Sequence, residues 1–103
     1  RVPTLNVSLV DLTLTLTHET TVAEVNALLR AAAAGPLAAV MNVCDEPLVS
    51  VDFNHDPASC TVDLTLTHVI GRTVKVCAWY DNEWGFANRM LDVSTILAGF
   101  SAA

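Results

Sequence analysis

The sequence predicts an α+β fold in which a mostly antiparallel sheet of about four main strands is combined with two helices, in the order β-α-β-β-β-α. Two segments that alternate between apolar and polar residues, 5–17 and 60–70, predict strands. Two apolar stripes at helical spacing, within residues 21–35 and 83–97, predict helices. With 103 residues the chain has the length of one small domain.

The first predicted strand changes phase along its length. Leu5, Val7 and Leu9 share one phase, whereas the apolar residues from Val10 onward take the other. We therefore expect a β-bulge or a sharp bend between Leu9 and Val10. The hexapeptide Val-Asp-Leu-Thr-Leu-Thr occurs at 10–15 and again at 62–67. Two copies fit coincidence between Thr/Leu-rich strands better than a solenoid, which needs three repeats.

The sequence predicts both the start and the end of the first helix. Thr21 and Glu24 have the spacing of a capping box, with Thr21 as the N-cap. Gly35 and Pro36 then predict the end of the helix. Its apolar stripe consists of Val22, Val25, Leu28, Leu29 and Ala32.

The middle of the chain predicts short strands joined by turns. Residues 37–43 are compatible with a short strand or an irregular connection, and residues 48–53 predict a strand after Pro47. Residues 54–57, Asn-His-Asp-Pro, predict a turn. The strand over 60–70 and a further strand over 73–80 flank Gly71, which predicts an antiparallel hairpin.

The last predicted helix runs from about Glu83 to about Leu97 and carries a continuous apolar stripe of Phe86, Met90, Val93, Leu97 and Phe100. Residues 79–86, Trp-Tyr-Asp-Asn-Glu-Trp-Gly-Phe, form the corner that leads into it. Either Asp81 or Asn82 can cap the helix. The Asn82 amide carries both donors and an acceptor, so it can also recognise another amide.

Composition excludes several classes of function. The chain is 52% hydrophobic and 16% charged, which is too apolar for a disordered protein. Its mean hydropathy of +0.47 predicts an apolar surface that another domain or subunit covers. A net charge of −6 with scattered basic residues argues against nucleic acid as a partner. No stretch has the length of a membrane span, and no signal peptide is recognisable.

Other candidate sites in the sequence are weak. The three histidines and three cysteines lack the spacing of metal ligands on one element, so no metal site is predicted. Ser59, His55 and Asp56 form an ordinary turn composition rather than a catalytic triad. Cys60 and Cys77 have no basic neighbour and are expected to be reduced, inert thiols in a cytoplasmic protein. No glycine-rich phosphate loop is present.

Three ordered motifs resemble signatures of the phosphorylating glyceraldehyde-3-phosphate dehydrogenase family. They are residues 1–13, which begin Arg-Val-Pro-Thr-Leu-Asn-Val-Ser, residues 48–54, and residues 79–85 with Asn88 and Arg89. Within the family, residues 51–57 and 81–92 are most similar to the erythrose-4-phosphate dehydrogenase branch. Phe86 and Ala87 stand where glyceraldehyde enzymes usually have Tyr and Ser, whereas residues 64–68 match neither branch well.

The resemblance implies a piece of a longer enzyme, namely the C-terminal portion of its catalytic domain over residues 1–103. An N-terminal Rossmann domain and the segment with the catalytic cysteine would precede Arg1, so no catalytic residue is assigned here. The last helix would pack on the Rossmann domain, and the family tetramer would cover more of the sheet. These residues alone would then be inactive.

The resemblance also implies the chemistry. A cysteine thiolate attacks a sugar-phosphate aldehyde, and hydride passes to NAD, which leaves a thioester. Water or inorganic phosphate then cleaves that thioester and releases the product. The erythrose branch would make 4-phosphoerythronate for pyridoxal phosphate biosynthesis, and the alternative is glycolytic glyceraldehyde 3-phosphate oxidation. Arg1 corresponds to a substrate phosphate ligand, Asn82 to the residue that hydrogen-bonds the nicotinamide carboxamide, and Phe86 to an aromatic close to that ring.

A second hypothesis gives the chain no catalytic role. Because it contains neither a nucleotide loop nor an assigned nucleophile, it would be a stand-alone β/α module that binds partners or self-assembles.

Overall fold

The computed structural model describes residues 1–101 and confirms the α+β class. Its sheet has five strands in the order β1-β5-β3-β2, with β4 also pairing with β5. The β2–β3 pair is parallel and the other pairs are antiparallel. The strands are β1 (Ser8–Thr15), β2 (Met41–Cys44), β3 (Cys60–Asp63), β4 (His68–Ile70) and β5 (Thr73–Tyr80), and the helices are α1 (Val22–Ala34) and α2 (Trp84–Ser101).

Strand β1 pairs with β5 in an unbroken register from Ser8–Tyr80 to Thr15–Thr73. The predicted bulge between Leu9 and Val10 is therefore wrong. The sequence changes phase there because both faces of β1 carry apolar side chains, and Leu9 and Val10 are both exposed. The irregular backbone lies just before the strand, at Val7, which is buried with a φ of 72°.

Helix α1 begins and ends as predicted. Glu24 N–H donates to Thr21 Oγ1 (3.2 Å) and Thr21 N–H donates to Glu24 Oε2 (2.9 Å), which completes the capping box. The helix ends at Ala34, directly before Gly35. Its inner side packs on a core of Met41, Val62, Leu64 and Ala78.

The prediction of one strand over residues 60–70 is wrong, because a 3-10 turn over Leu64–Leu66 divides it into β3 and β4. The Asp63 side chain, which is buried, accepts the Thr65 N–H (3.0 Å) and thereby caps the turn. From α1, Asn26 donates to the Leu64 carbonyl (3.2 Å) and accepts from Thr67 Oγ1 (2.7 Å). The turn resets the side-chain phase, so Ile70 is exposed although Val62 is buried.

The predicted strand over 48–53 is also wrong, since Ser50–Phe53 forms a 3-10 turn. The Asp52 carboxylate accepts the Val49 N–H (2.8 Å) and bends the backbone. The segment 37–43, left open by the sequence, contributes β2. Gly71, with a φ of 59°, makes the predicted hairpin turn between β4 and β5.

Helix α2 starts close to its predicted position but extends farther, to Ser101. Every residue from 90 to 100 is exposed, including the apolar ones. The predicted stripe from Phe86 to Phe100 is 54–76% exposed. Within residues 1–101, no helix is both long and apolar enough to cross a membrane.

Candidate functional site

The corner between β5 and α2 is organised by one buried carboxylate. Asp81 is 1% exposed, and each of its oxygens accepts two hydrogen bonds. Oδ1 accepts the N–H groups of Glu83 (3.2 Å) and Trp84 (2.9 Å). Oδ2 accepts from Asn6 Nδ2 (3.1 Å) and from the His55 N–H (2.9 Å). Four donors therefore compensate the burial of the charge.

The sequence allowed either Asp81 or Asn82 to cap α2, and the structure shows that Asp81 does so. Its bond to the Glu83 N–H closes an Asx-type turn around Asn82, and its bond to Trp84 satisfies the first helical N–H. The Asp81 carbonyl accepts the Gly85 N–H (2.9 Å) as well. Asn82 therefore sits inside turns that Asp81 closes with both its side chain and its backbone.

Hydrogen bonding outweighs burial in setting the acidity of this group. The Trp84 N–H is the strongest of the influences that hold the pKa of Asp81 below its usual value, and the bonds from His55, Asn6 and Glu83 act in the same direction. Burial alone would raise that pKa. Asp81 is consequently a stable anion at neutral pH rather than a proton carrier.

The Asp81 corner, defined here as Asn6, Asn54, His55 and residues 79–85, joins three distant segments of the chain. Asn6 Nδ2 donates to Asn54 Oδ1 (2.6 Å) as well as to Asp81. His55 adopts a φ of 61°, and its ring stacks on Trp84 with centroids 5.0 Å apart. The turn at 54–55 and the start of the chain are thus tied to the first turn of α2.

Close packing holds the corner from the other side. A Cβ atom on Gly85 would come within 2.9 Å of the Ala58 carbonyl oxygen, so only glycine allows this approach. Phe53 stacks on Trp79 with ring centroids 5.7 Å apart, and Trp79 Nε1 donates to Asp63 Oδ2 (3.2 Å). The aromatic residues therefore have fixed positions beneath the polar turn.

Arg89 adds a clamp one turn into α2. Its Nε donates to Asp92 Oδ2 (2.8 Å) and its guanidinium donates to Ser59 Oγ (3.1 Å). The first turns of the helix are thus fastened to the 54–59 segment, whereas the later turns extend into solvent.

The side chain of Asn82, unlike that of Asp81, is free. It is exposed, and its amide makes no hydrogen bond to any other residue within 1–101. The turn around it is held by Asp81, while the donors and acceptor of its own side chain have no partner among the described residues. Such a group is available to bind an external amide.

Phe86 lies directly after this corner, four residues after Asn82, and is 67% exposed. Arg1 is exposed and forms no ion pair or hydrogen bond with the corner among the described residues. Because Asn6 bonds to Asp81, even a fully extended chain of five residues would keep Arg1 within roughly 17 Å of Asn6. The structure therefore places Asn82 and Phe86 four residues apart at the exposed start of α2 and gives Arg1 no contact with the corner among the described residues.

Cys77 is buried and Cys60 is half-buried, as their strand positions predicted. Burial raises the pKa of the Cys77 thiol, and the Asp11 charge adds to the effect. Burial also raises the pKa of Cys60, with a contribution from Asp56. A raised thiol pKa lowers the fraction of reactive thiolate. All three cysteines are free, and residues 1–101 contain no cluster of three or more metal-liganding side chains.

Sequence reasoning missed the roles of Asn6, His55 and Asp81 in one network. The bonds that join them span 75 residues between Asn6 and Asp81 and 26 between His55 and Asp81. Local periodicity carries no signal of such contacts. The available hint was that each of the three motifs contains a short polar side chain beside a turn.

Comparison with known proteins gives a family match over most of the chain. Residues 1–82 match the model of the "Glyceraldehyde 3-phosphate dehydrogenase, C-terminal domain". Two glyceraldehyde-3-phosphate dehydrogenases of Cupriavidus necator, one chromosomal and one plasmid-borne, are each 62% identical over 98 residues. The glyceraldehyde-3-phosphate dehydrogenase of Pseudomonas aeruginosa is 58% identical over 98 residues. These alignments cover 95% of this chain and 29% of each relative.

Proposed function

The chain belongs to the glyceraldehyde-3-phosphate dehydrogenase family, and we propose that it is the C-terminal part of the catalytic domain of an NAD-dependent dehydrogenase that oxidises glyceraldehyde 3-phosphate. The observation that carries this proposal is the free Asn82 amide on a rigid corner, within a chain whose relatives bear that enzyme's name. Since the chain spans about 29% of those relatives, residues outside it would complete the enzyme.

Asn82 would hydrogen-bond the carboxamide of the nicotinamide. The donor set fits such a ligand, since an exposed primary amide can donate to a carbonyl and accept from an amide N–H at once. NAD would supply the acceptor for hydride. Asn82 itself would transfer no proton; it would hold the ring in one orientation, which lowers the barrier by positioning.

Phe86 and Arg1 would serve the two sides of the same site. Phe86 has no hydroxyl, so it would contribute apolar contact close to the nicotinamide. Arg1 would bind the substrate phosphate through its planar guanidinium, which matches phosphate oxygens in pairs. The hydrogen bond between Asn6 and Asp81 limits how far Arg1 can lie from the corner.

The choice of aldehyde follows from the relatives rather than from the corner. The branch prediction for erythrose 4-phosphate, based on residues 51–57 and 81–92, receives no support from the relatives, which are named for glyceraldehyde 3-phosphate. Phe86 and Ala87 keep erythrose 4-phosphate as the second candidate. Its oxidation would end with water rather than with inorganic phosphate as the acceptor.

The exposed apolar surfaces fit partners that this chain would have in a complete enzyme. The outer face of α2 would pack on an N-terminal Rossmann domain, and the exposed β1 side chains would face other subunits of a homotetramer. If instead the chain self-associates and does not bind a Rossmann partner, the stand-alone module becomes the better description.

The test compares both aldehydes, with and without inorganic phosphate, in the full-length protein that carries this chain. We expect NADH formation with glyceraldehyde 3-phosphate that depends on inorganic phosphate. Phosphate-independent oxidation of erythrose 4-phosphate would favour the second candidate, and activity with neither aldehyde would contradict the proposal.

Variants then test the individual residues. Asn82→Ala should raise the dissociation constant of NAD by about tenfold, as expected for one or two lost polar contacts. Arg1→Leu should raise KM for a phosphorylated aldehyde far more than for an unphosphorylated one. Glu83 is exposed and lies next to Asn82, so Glu83→Ala serves as the control, a change at the corner that should affect neither the NAD dissociation constant nor KM.

A further inference from the structure

We propose that Asp81 is a positioning residue for the Asn82 amide, an inference that rests on the proposed contact between Asn82 and the nicotinamide. Asp81 is buried and cannot reach a ligand with its carboxylate, because all four of its hydrogen-bonding directions are taken by protein donors. It acts on the site only through the residue that follows it.

The turn around Asn82 is held by the side chain of Asp81. Asp81 Oδ1 binds the N–H groups of Glu83 and Trp84, so the peptide units on the C-terminal side of Asn82 are held by the side chain that precedes it. Asn82 therefore has little freedom to rotate as a unit, although its own side chain has no partner within residues 1–101.

Asp81 is itself anchored through its second carboxylate oxygen. Oδ2 binds Asn6 and the backbone of His55, and the His55 ring stacks on Trp84. The carboxylate thus links the start of the helix to two segments outside the helix. Capping alone would need only the Oδ1 bonds, so the Oδ2 bonds add a tie between α2's first turn and the segments at Asn6 and His55, beside the Arg89–Ser59 bond.

The negative charge of the Asp81 carboxylate is needed because an amide at this position cannot accept from all four donors. Both oxygens face donors, so an asparagine at position 81 would turn its NH2 group against donors on one side. Asparagine is a good helix cap, so its oxygen would keep the Glu83 and Trp84 bonds. Asp81→Asn is then expected to preserve α2 while releasing Asn6 and His55.

The experiment measures the NAD dissociation constant and the separate KM values in the full-length protein for Asp81→Asn. A matched control is Thr21→Ala, which removes the cap of α1, away from the corner. We expect Asp81→Asn to raise the dissociation constant and KM for NAD by about tenfold and Thr21→Ala to leave both within about twofold, with KM for the aldehyde unchanged in both.

Asn6→Ala provides a second variant if Asp81→Asn folds poorly. It removes one donor from Oδ2 without touching the helix cap, and we expect a rise of roughly threefold in the NAD dissociation constant. If neither variant weakens NAD binding more than Thr21→Ala does, while Asn82→Ala does weaken it, the positioning role is refuted. If Asn82→Ala itself has no effect, the proposed function of Asn82 fails instead.

Discussion

The Asp81 corner and the outer part of α2 adjoin in the sequence but are stabilised in opposite ways. At the corner, the buried Asp81 carboxylate is fully paired with four donors, and the aromatic rings of His55 and Trp84 stack. Along α2 from residue 90 to 100, apolar side chains are exposed. The corner completes its interactions within this chain, whereas the apolar helix needs a covering surface. Directional hydrogen bonds to Asp81 therefore hold the backbone of the corner.

The largest expected effect comes from removing the acceptor at the centre of the corner. Asp81→Ala leaves four donors without their acceptor and should lower the free energy of unfolding by about 3–4 kcal/mol. Urea unfolding followed by tryptophan fluorescence measures it. The control is Asp92→Ala, which removes an exposed ion pair with Arg89 and should cost about 0–1 kcal/mol. Equal losses for the two variants would refute the difference between the regions.

Two glycines of α2 give the next comparison. Gly85→Ala would place a methyl group 2.9 Å from the Ala58 carbonyl oxygen, and we expect a loss of about 1–3 kcal/mol in the free energy of unfolding. Gly99→Ala meets no atom within 4 Å and should be neutral or stabilise by up to about 1 kcal/mol. Thermal unfolding of the two variants measures both signs, and a stabilising Gly85→Ala would show that the corner packs loosely.

The pH dependence of stability should also come from the corner. Because its folded pKa is lowered, Asp81 stabilises the protein fully above its unfolded pKa of about 3.9, and this contribution is lost as the pH falls through the folded pKa. Exposed Glu24 and Asp45 have lowered pKa values and act with the same sign. Urea unfolding between about pH 6 and pH 2 should show a smaller acid loss in Asp81→Asn than in the parent protein. An identical acid profile would contradict this role.

The smallest effect is expected on the outer part of α2. Val93→Gln replaces an exposed apolar side chain with a good helix former, so the free energy of unfolding should change by less than about 0.5 kcal/mol. Sedimentation should show less self-association, because the apolar face is interrupted. A loss comparable to that of Gly85→Ala would mean that this face is already packed.

The sequence predicted those elements whose signals are local. The capping box of Thr21 and Glu24 defined the start of α1, and Gly71 defined the hairpin before β5. The division of residues 60–70 was not predictable in this way. It depends on the buried Asp63 cap and on Asn26, which reaches the turn from α1, and neither contact leaves a periodic trace.

At the candidate site, too, some features could be predicted from the sequence and others depend on distant contacts. The resemblance to a known family pointed to Asn82, Phe86 and Arg1, and in the structure all three are exposed. Which neighbour caps α2 could not be decided from residue types, because Asp81 and Asn82 are both good caps. The decision is made by Asn6 and His55, whose approach to Asp81 depends on the whole fold.

The most direct test is a double-mutant cycle on NAD binding in the full-length protein, using Asp81→Asn, Asn82→Ala and the two changes together. If Asp81 acts through Asn82, the double variant should bind NAD no more weakly than Asn82→Ala alone, because the group that Asp81 positions is already gone. Additive losses in the binding free energy would contradict this account, since Asp81 would then affect NAD by a route independent of Asn82.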